Sequence, residues 1–305
     1  MDKYFDKINQ INHIDILAKQ IVEGFLIGLH KSPFHGFSVE FSEHRLYNEG
    51  ESVKNVDWKV FARTDKMYVK KYEEETNLRC QILVDISSSM YFPDNSENKL
   101  NFSALCAASL IYLLKSQRDA FGLTTFSDKI YFHADAKLNE NNRNNIYAQL
   151  EHLLNQKPKS QTTNAKEAIH AFAEMIHRRS LVVIFSDMFD NIGDENSLQE
   201  IVDALQHLKY NKHEVVLFHV IDKRHEIDLD YENRPYEFVD IETNQSIKLH
   251  TNMVKEQYKI LSEKFVQDMR IACLQNKIDF VEVDINEGFQ TVLQTYLLKR
   301  SKMIK

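Results

Sequence analysis

Glycine and proline are scarce, 7 and 4 in 305 residues, and they form neither clusters nor Gly/Ser tracts. A flexible tether is thereby excluded, and any second module should pack against the first. Cysteine is scarcer still. Cys80, Cys106 and Cys273 are odd in number, far apart and set in apolar contexts, which excludes a disulfide framework or a zinc site and suits reduced core residues. No segment approaches the ~20 apolar residues of a membrane span, and the opening "MDKYFDKINQINHIDIL" has no apolar run behind positive charge. A soluble, cytoplasmic protein without direct membrane insertion is expected. Positive charge is also in deficit. The formal net charge of -7 disfavours nucleic acid or an anionic membrane as main partner, and Lys70-Lys71 is answered at once by Glu73 to Glu75. There is no Gly-rich phosphate loop and no G-x-S-x-G, so nucleotide hydrolysis and serine-hydrolase chemistry lack their usual machinery. Of thirteen histidines, His133, His170 and His219 read as lacking a ligand partner at i+3 or i+4, which favours core or surface roles over metal binding.

What is present is enough apolar material, 43% of residues, for a sizeable core. The length predicts one large α/β domain plus a smaller module. Residues 14–29 have helical apolar spacing (Ile14, Leu17, Ile21, Phe25, Leu26), and "GFSVEFSEHRLY" and "KMYVKKY" are β-rich. These give an N-terminal helix and small β module over 1–77. From 78 to 305 strands (80–86, 120–126, 129–133, 181–186, 214–221, 278–284) alternate with helices (98–117, 140–154, 164–178, 197–210, 252–276, 289–302). That rhythm predicts a mostly parallel sheet, Rossmann-like, with helices on both faces. Residues 224–250 interrupt it and read as a β-hairpin insertion packing on the N-terminal module. In the closing helix Phe289, Val292, Leu293, Tyr296 and Leu297 lie at core spacing.

The stretch "CQILVDISSSMYF" ends a buried-looking strand in Asp85, Ser87 and Ser89, whose spacing of two puts all three on one side of extended chain. "LVVIFSDMFD" delivers Asp187 from a second strand end, and "SQTTNAKEAIHAF" places Thr163 before a helix that Thr163 or Asn164 could cap. In open α/β sheets ligands bind beyond such carboxyl ends. Three hydroxyls and two carboxylates suit a hard divalent cation, Mg²⁺ above all. The ion would keep net positive charge and an open position that attracts another molecule's carboxylate.

In order and rough spacing, Asp85-x-Ser87-x-Ser89, Thr163 and Asp187 resemble the metal-ion-dependent adhesion site of von Willebrand factor A domains. The resemblance implies a Rossmann-like fold, Mg²⁺ or Mn²⁺, and a partner acid as sixth ligand. It implies that Ser87 and Ser89 ligate directly, Thr163 directly or through water, and Asp85 and Asp187 mostly through water. Residues 28 to 300 also resemble the bacterial family filed as domain of unknown function fifty-eight. Tyr47, Gly50, Asp57, Trp58, Ala62, Arg63 and Thr64 match its signature, while Glu51 and Lys54 depart conservatively. Ser160-Gln161 stands where the family often has Gly-Gly, so Thr162 remains the alternative to Thr163. The family implies partnership with a MoxR-type AAA+ ATPase in protein or complex maturation.

The function expected is therefore a non-enzymatic protein-interaction module that grips a partner's Asp or Glu through the metal. Two readings compete with it. A Mg²⁺-dependent phosphoesterase would use Asp85 as nucleophile, but Ser87 stands where such enzymes place a second Asp, and no phosphate-binding lysine is evident nearby. A structural scaffold would leave the metal site empty. For Asp57-Trp58 and Ala62-Arg63-Thr64 a structural role is expected, with Arg63 paired to an acid such as Glu74.

Overall fold

The computed structural model describes residues 14–31, 44–46, 62–63, 68–70, 78–155, 165–188, 195–232, 234–239 and 246–303. The chain divides into two units, Met1–Glu23 with Leu78–Lys305, and Gly24–Asn77. The division thus falls inside the first helix, α1 (Ile14–Lys31), as well as at residue 77. Ile14, Leu17, Ala18, Ile21 and Val22 of α1 are buried at spacings of three and four. The Gly24–Asn77 unit holds an antiparallel pair, β1 (His44–Leu46) with β2 (Tyr68–Lys70). Most of the signature expected to anchor this module, including Asp57, Trp58 and Thr64, and the suggested partner Glu74 lie outside the described residues.

The larger unit is mixed α/β. Its sheet runs β10-β7-β6-β3-β4-β5, comprising β3 (Arg79–Asp85), β4 (Ala120–Phe126), β5 (Ile130–Lys137), β6 (Leu181–Ser186), β7 (Glu214–Ile221) and β10 (Asp279–Asp284). All neighbours are parallel except β4 and β5, which a tight connection forces antiparallel. The middle strands read as unbroken apolar runs because helices cover both faces. Leu83, Ile184 and Leu217 face α4 (Ala165–Met175), α5 (Glu195–Tyr210) and α6 (Thr251–Gln275) in one apolar cluster. Helix α2 (Lys99–Ser116) packs on β3 and β4, with α3 (Glu140–Leu154) and α7 (Gln290–Met303) against it. It is buried nearly all round. Ser103 and Ser109 are tolerated inside it because their hydroxyls donate to the carbonyls of Lys99 and Leu105, each at 2.8 Å. The closing-helix residues Phe289, Val292, Leu293, Tyr296 and Leu297 are all buried, as their spacing predicts. An antiparallel pair, β8 (Pro235–Val239) and β9 (Ser246–His250), stands apart from the main sheet.

This topology creates one crevice. From β3 the chain leaves through α2 toward β4, and from β6 it leaves through α5 toward β7 on the opposite side. The carboxyl ends of β3 and β6 therefore flank the switch point at which open α/β sheets bind ligands.

Candidate functional site

The last residue of β3, Asp85, stands at the switch point and is fully buried. Its Oδ1 accepts from the Ser87 backbone N–H at 2.8 Å, and its Oδ2 accepts from the Ser186 hydroxyl at 2.6 Å. Ser186 ends β6, and its Oγ also accepts from the Met188 N–H at 3.1 Å. That bond sits in a sharp turn, since Met188 has a φ of 48°, a left-handed conformation that a large side chain adopts only when its surroundings hold it. Between the two, Asp187 turns inward and is also buried.

Ser87 leads into a short 3-10 turn (Ser88–Tyr91) that brings the Ser87 and Ser89 hydroxyls within 3.0 Å of each other. Ser89 also bonds the Asp187 carboxylate. Four of the five expected site residues, Asp85, Ser87, Ser89 and Asp187, are thus one connected group. Thr163 and its alternative Thr162 lie outside the described residues.

A residue the sequence reading passed over is central to the group. Lys99, the first residue of α2, is fully buried, and its ammonium donates to Asp187 Oδ2 at 2.7 Å and to Glu226. It lies close to the strand-end acids, yet its ammonium is committed to two carboxylates, so it is not the phosphate-binding lysine that the phosphoesterase reading lacks. It carried a signal: a cation at the first position of a helix opposes the helix dipole, and Lys99 opens a helix rich in apolar residues whose cap, the Asn98 side chain, accepts from the Asn101 N–H. Glu226 lies in the π-helical turn after β7 (Lys223–Ile227), and its other oxygen accepts from the Asp222 N–H at 2.8 Å. Asp222 pairs with His225 Nδ1 at 2.6 Å.

The electrostatics are those of a cluster short of positive charge. Burial first, then repulsion from Asp187, push the Asp85 carboxyl up to about 7. Burial would raise Asp187 too, but Lys99 holds it below the usual carboxylate range. Burial also raises Glu226, and repulsion from Asp187 opposes the pull of Lys99, leaving it above its ordinary value. For Lys99 burial acts downward, but Asp187 and Glu226 more than offset it and the ammonium stays protonated. Burial drives His219, beside Asp187, down to about 4, so its imidazole adds no charge near neutral pH.

Among the described residues no three His, Cys, Asp or Glu side chains converge on one point, so an ion here would rest on hydroxyls as much as on carboxylates. The Ser87 and Ser89 hydroxyls offer hard neutral oxygens, and the Asp85 and Asp187 carboxylates stand behind them. That chemistry fits Mg²⁺ or Mn²⁺ and suits neither zinc nor copper.

Elsewhere, His170 is less isolated than its sequence neighbourhood suggests. Its Nδ1 meets His207 Nδ1 of α5 at 3.0 Å, and His207 Nε2 meets Glu174 at 2.8 Å. The free thiols of Cys80, Cys106 and Cys273 are buried, as their contexts predict.

A family model described as "Protein of unknown function DUF58" matches residues 43–266. The uncharacterized proteins Rv1480 of Mycobacterium tuberculosis H37Rv and Mb1516 of Mycobacterium bovis are each 25% identical over 211 residues, 69% of this chain. The match spans 64% of their length. Among solved structures, the conserved hypothetical protein BatB of Bacteroides thetaiotaomicron is similar over 74% of this chain and 99% of its own, at 17% identity and a TM-score of 0.44. The PilB minor pilin of Streptococcus sanguinis is similar over 78% of this chain and 65% of its own, at 10% identity and 0.48. No helix among the described residues is long and apolar enough to cross a membrane.

Proposed function

The chain belongs to the DUF58 family of proteins of unknown function, and we propose that its strand-end cluster is a metal-ion-dependent adhesion site of the von Willebrand A kind. The protein is then a non-enzymatic, cytoplasmic interaction module that grips an acidic residue of a protein partner. The partner implied by the family resemblance is a MoxR-type AAA+ ATPase, served in protein or complex maturation. One observation carries the reading: two facing hydroxyls, Ser87 and Ser89, backed by two buried carboxylates at the sheet's switch point.

Bound there, Mg²⁺ or Mn²⁺ would supply an electrophilic position for the partner's carboxylate. The residues' own work is to hold that position open. Asp85 fixes the Ser87 backbone through its N–H, Ser186 fixes Asp85, and Asp187 orients the Ser89 hydroxyl. Neutral hydroxyls leave the ion's charge undiminished, and one charge-assisted bond then adds specificity to a modest interface.

The phosphoesterase reading is less well served by the same geometry. Both oxygens of Asp85 are engaged and the residue is sealed from solvent, which ill suits a nucleophile, and Lys99 faces two acids where a phosphate-binding lysine would face the crevice. The test is binding of the purified chain to a MoxR-type ATPase in Mg²⁺ and in chelator, beside a Ser87→Ala/Ser89→Ala variant. Binding should need both the metal and the hydroxyls. Equal binding by the variant in chelator overturns the proposal.

A further inference from the structure

Beneath the facing hydroxyls lies a layer of charge that the adhesion-site pattern does not account for. Lys99 sits under Asp187 with no solvent access and reaches across to Glu226, a residue 127 positions away in sequence. Glu226 is tied in turn to the backbone at the end of β7 through the Asp222 N–H. Asp187 and Glu226 share a single ammonium, and Asp85 stands close enough to Asp187 to feel its charge. The neighbouring Asp222 has its own partner in His225, and His219 is neutral near pH 7.

We propose that Lys99 is a positioning residue whose ammonium, by holding Asp187 and Glu226 together, sets the charge of the strand-end pocket at a value one divalent cation matches. The inference rests on the metal-site reading above and adds Glu226 to it. With Lys99 in place the ionised cluster is left two negative charges in excess, the charge of one Mg²⁺ or Mn²⁺. Without Lys99 the pocket would carry three. An anchored ammonium is suited to this task because, unlike a dissociable ion, it cannot be displaced into solvent. It engages Oδ2 of Asp187, the carboxylate that Ser89 also bonds.

The experiment is Mn²⁺ titration followed by electron paramagnetic resonance of the free ion, on the full chain and on Glu226→Gln, Lys99→Met and the double variant Lys99→Met/Glu226→Gln. Thermal unfolding in chelator is recorded for each. Removing the carboxylate should weaken Mn²⁺ binding by at least about tenfold, and removing the ammonium should strengthen it by a similar factor. The double variant loses one charge of each sign and should return to within about threefold of the parent. A purely structural role would give a different order. If both single variants bind more weakly and the double more weakly still, or if all four bind alike, the charge-setting role is overturned while the metal site stands. If the parent itself takes up no Mn²⁺, the metal-site reading falls and this inference falls with it. Should Lys99→Met fail to fold, the parent, Glu226→Gln and the double variant still decide the matter.

Discussion

Single residues here act through what surrounds them, and Gly122 is the sharpest case. It lies in β4 beside Gln81, whose side-chain amide crosses from β3 to donate to the Ala134 carbonyl of β5 at 2.9 Å. A Cβ at position 122 would strike the Gln81 amide and lie 2.5 Å from the Ala134 carbonyl oxygen, which is backbone and cannot swing aside. The β4–β5 register shifts at this point, as expected where a glycine lets two chains approach closely. Gly122→Ala should therefore destabilise the protein by about 1–3 kcal/mol through overpacking, read as a lower urea midpoint. A midpoint equal to that of the parent would show that β5 moves aside freely. Ser186 works by the opposite principle, since its one hydroxyl serves two partners and holds Asp85 in place.

At the scale of elements, α2 does the most. It is the first helix after the site strand, it carries Lys99 at its start, and its interior is close-packed on all sides. Phe102, one turn after Lys99, stacks on Phe289 at the entry to α7 with ring centroids 5.1 Å apart. Phe102 is fully buried, so truncation leaves a cavity that the rigid sheet beneath cannot fill. Phe102→Ala should cost about 3–5 kcal/mol, measured by chemical denaturation. A loss below about 1 kcal/mol would mean that α2 and α7 can close the gap. The aromatic pair also gives α7 a direct packing contact with the helix that positions the site.

For the whole molecule, stability should depend on pH through a residue remote from the crevice. His213 precedes β7 at the amino end of the sheet and is buried. Its Nδ1 accepts from the Ser180 N–H at 3.2 Å, and among the described residues its Nε2 has no hydrogen-bond partner. Burial holds its pKa below the ordinary 6.5. As pH falls the unfolded chain therefore binds the proton before the folded one does. The stability owed to neutral His213 is whole above 6.5, drains as pH falls below it, and is gone once the folded-state pKa is passed. Denaturation midpoints at pH 7.5 and 5.5 should differ more for the parent than for His213→Asn, whose side-chain oxygen can still accept from Ser180. An equal drop in both would assign the pH dependence to other groups.

How much of this was legible beforehand depended on how far apart the deciding residues lie. The middle strands β3, β4, β6 and β7 were readable from their own largely apolar runs, because burial on both faces removes the polar alternation that would blur them. Asp85 and Asp187 could be assigned to one edge because parallel strands bring like ends together, so a local feature had a known global place. The Lys99–Glu226 pair could not be read in this way, because nothing near either residue names the other. The His170–His207 contact between neighbouring helices was hidden for the same reason. By itself the sequence determined the elements, their polarity and the hydroxyl and carboxylate ends they present, since those follow from short-range periodicity. Only the tertiary structure decided which buried charges meet. A buried charge must find its counterion wherever the packed chain happens to place one.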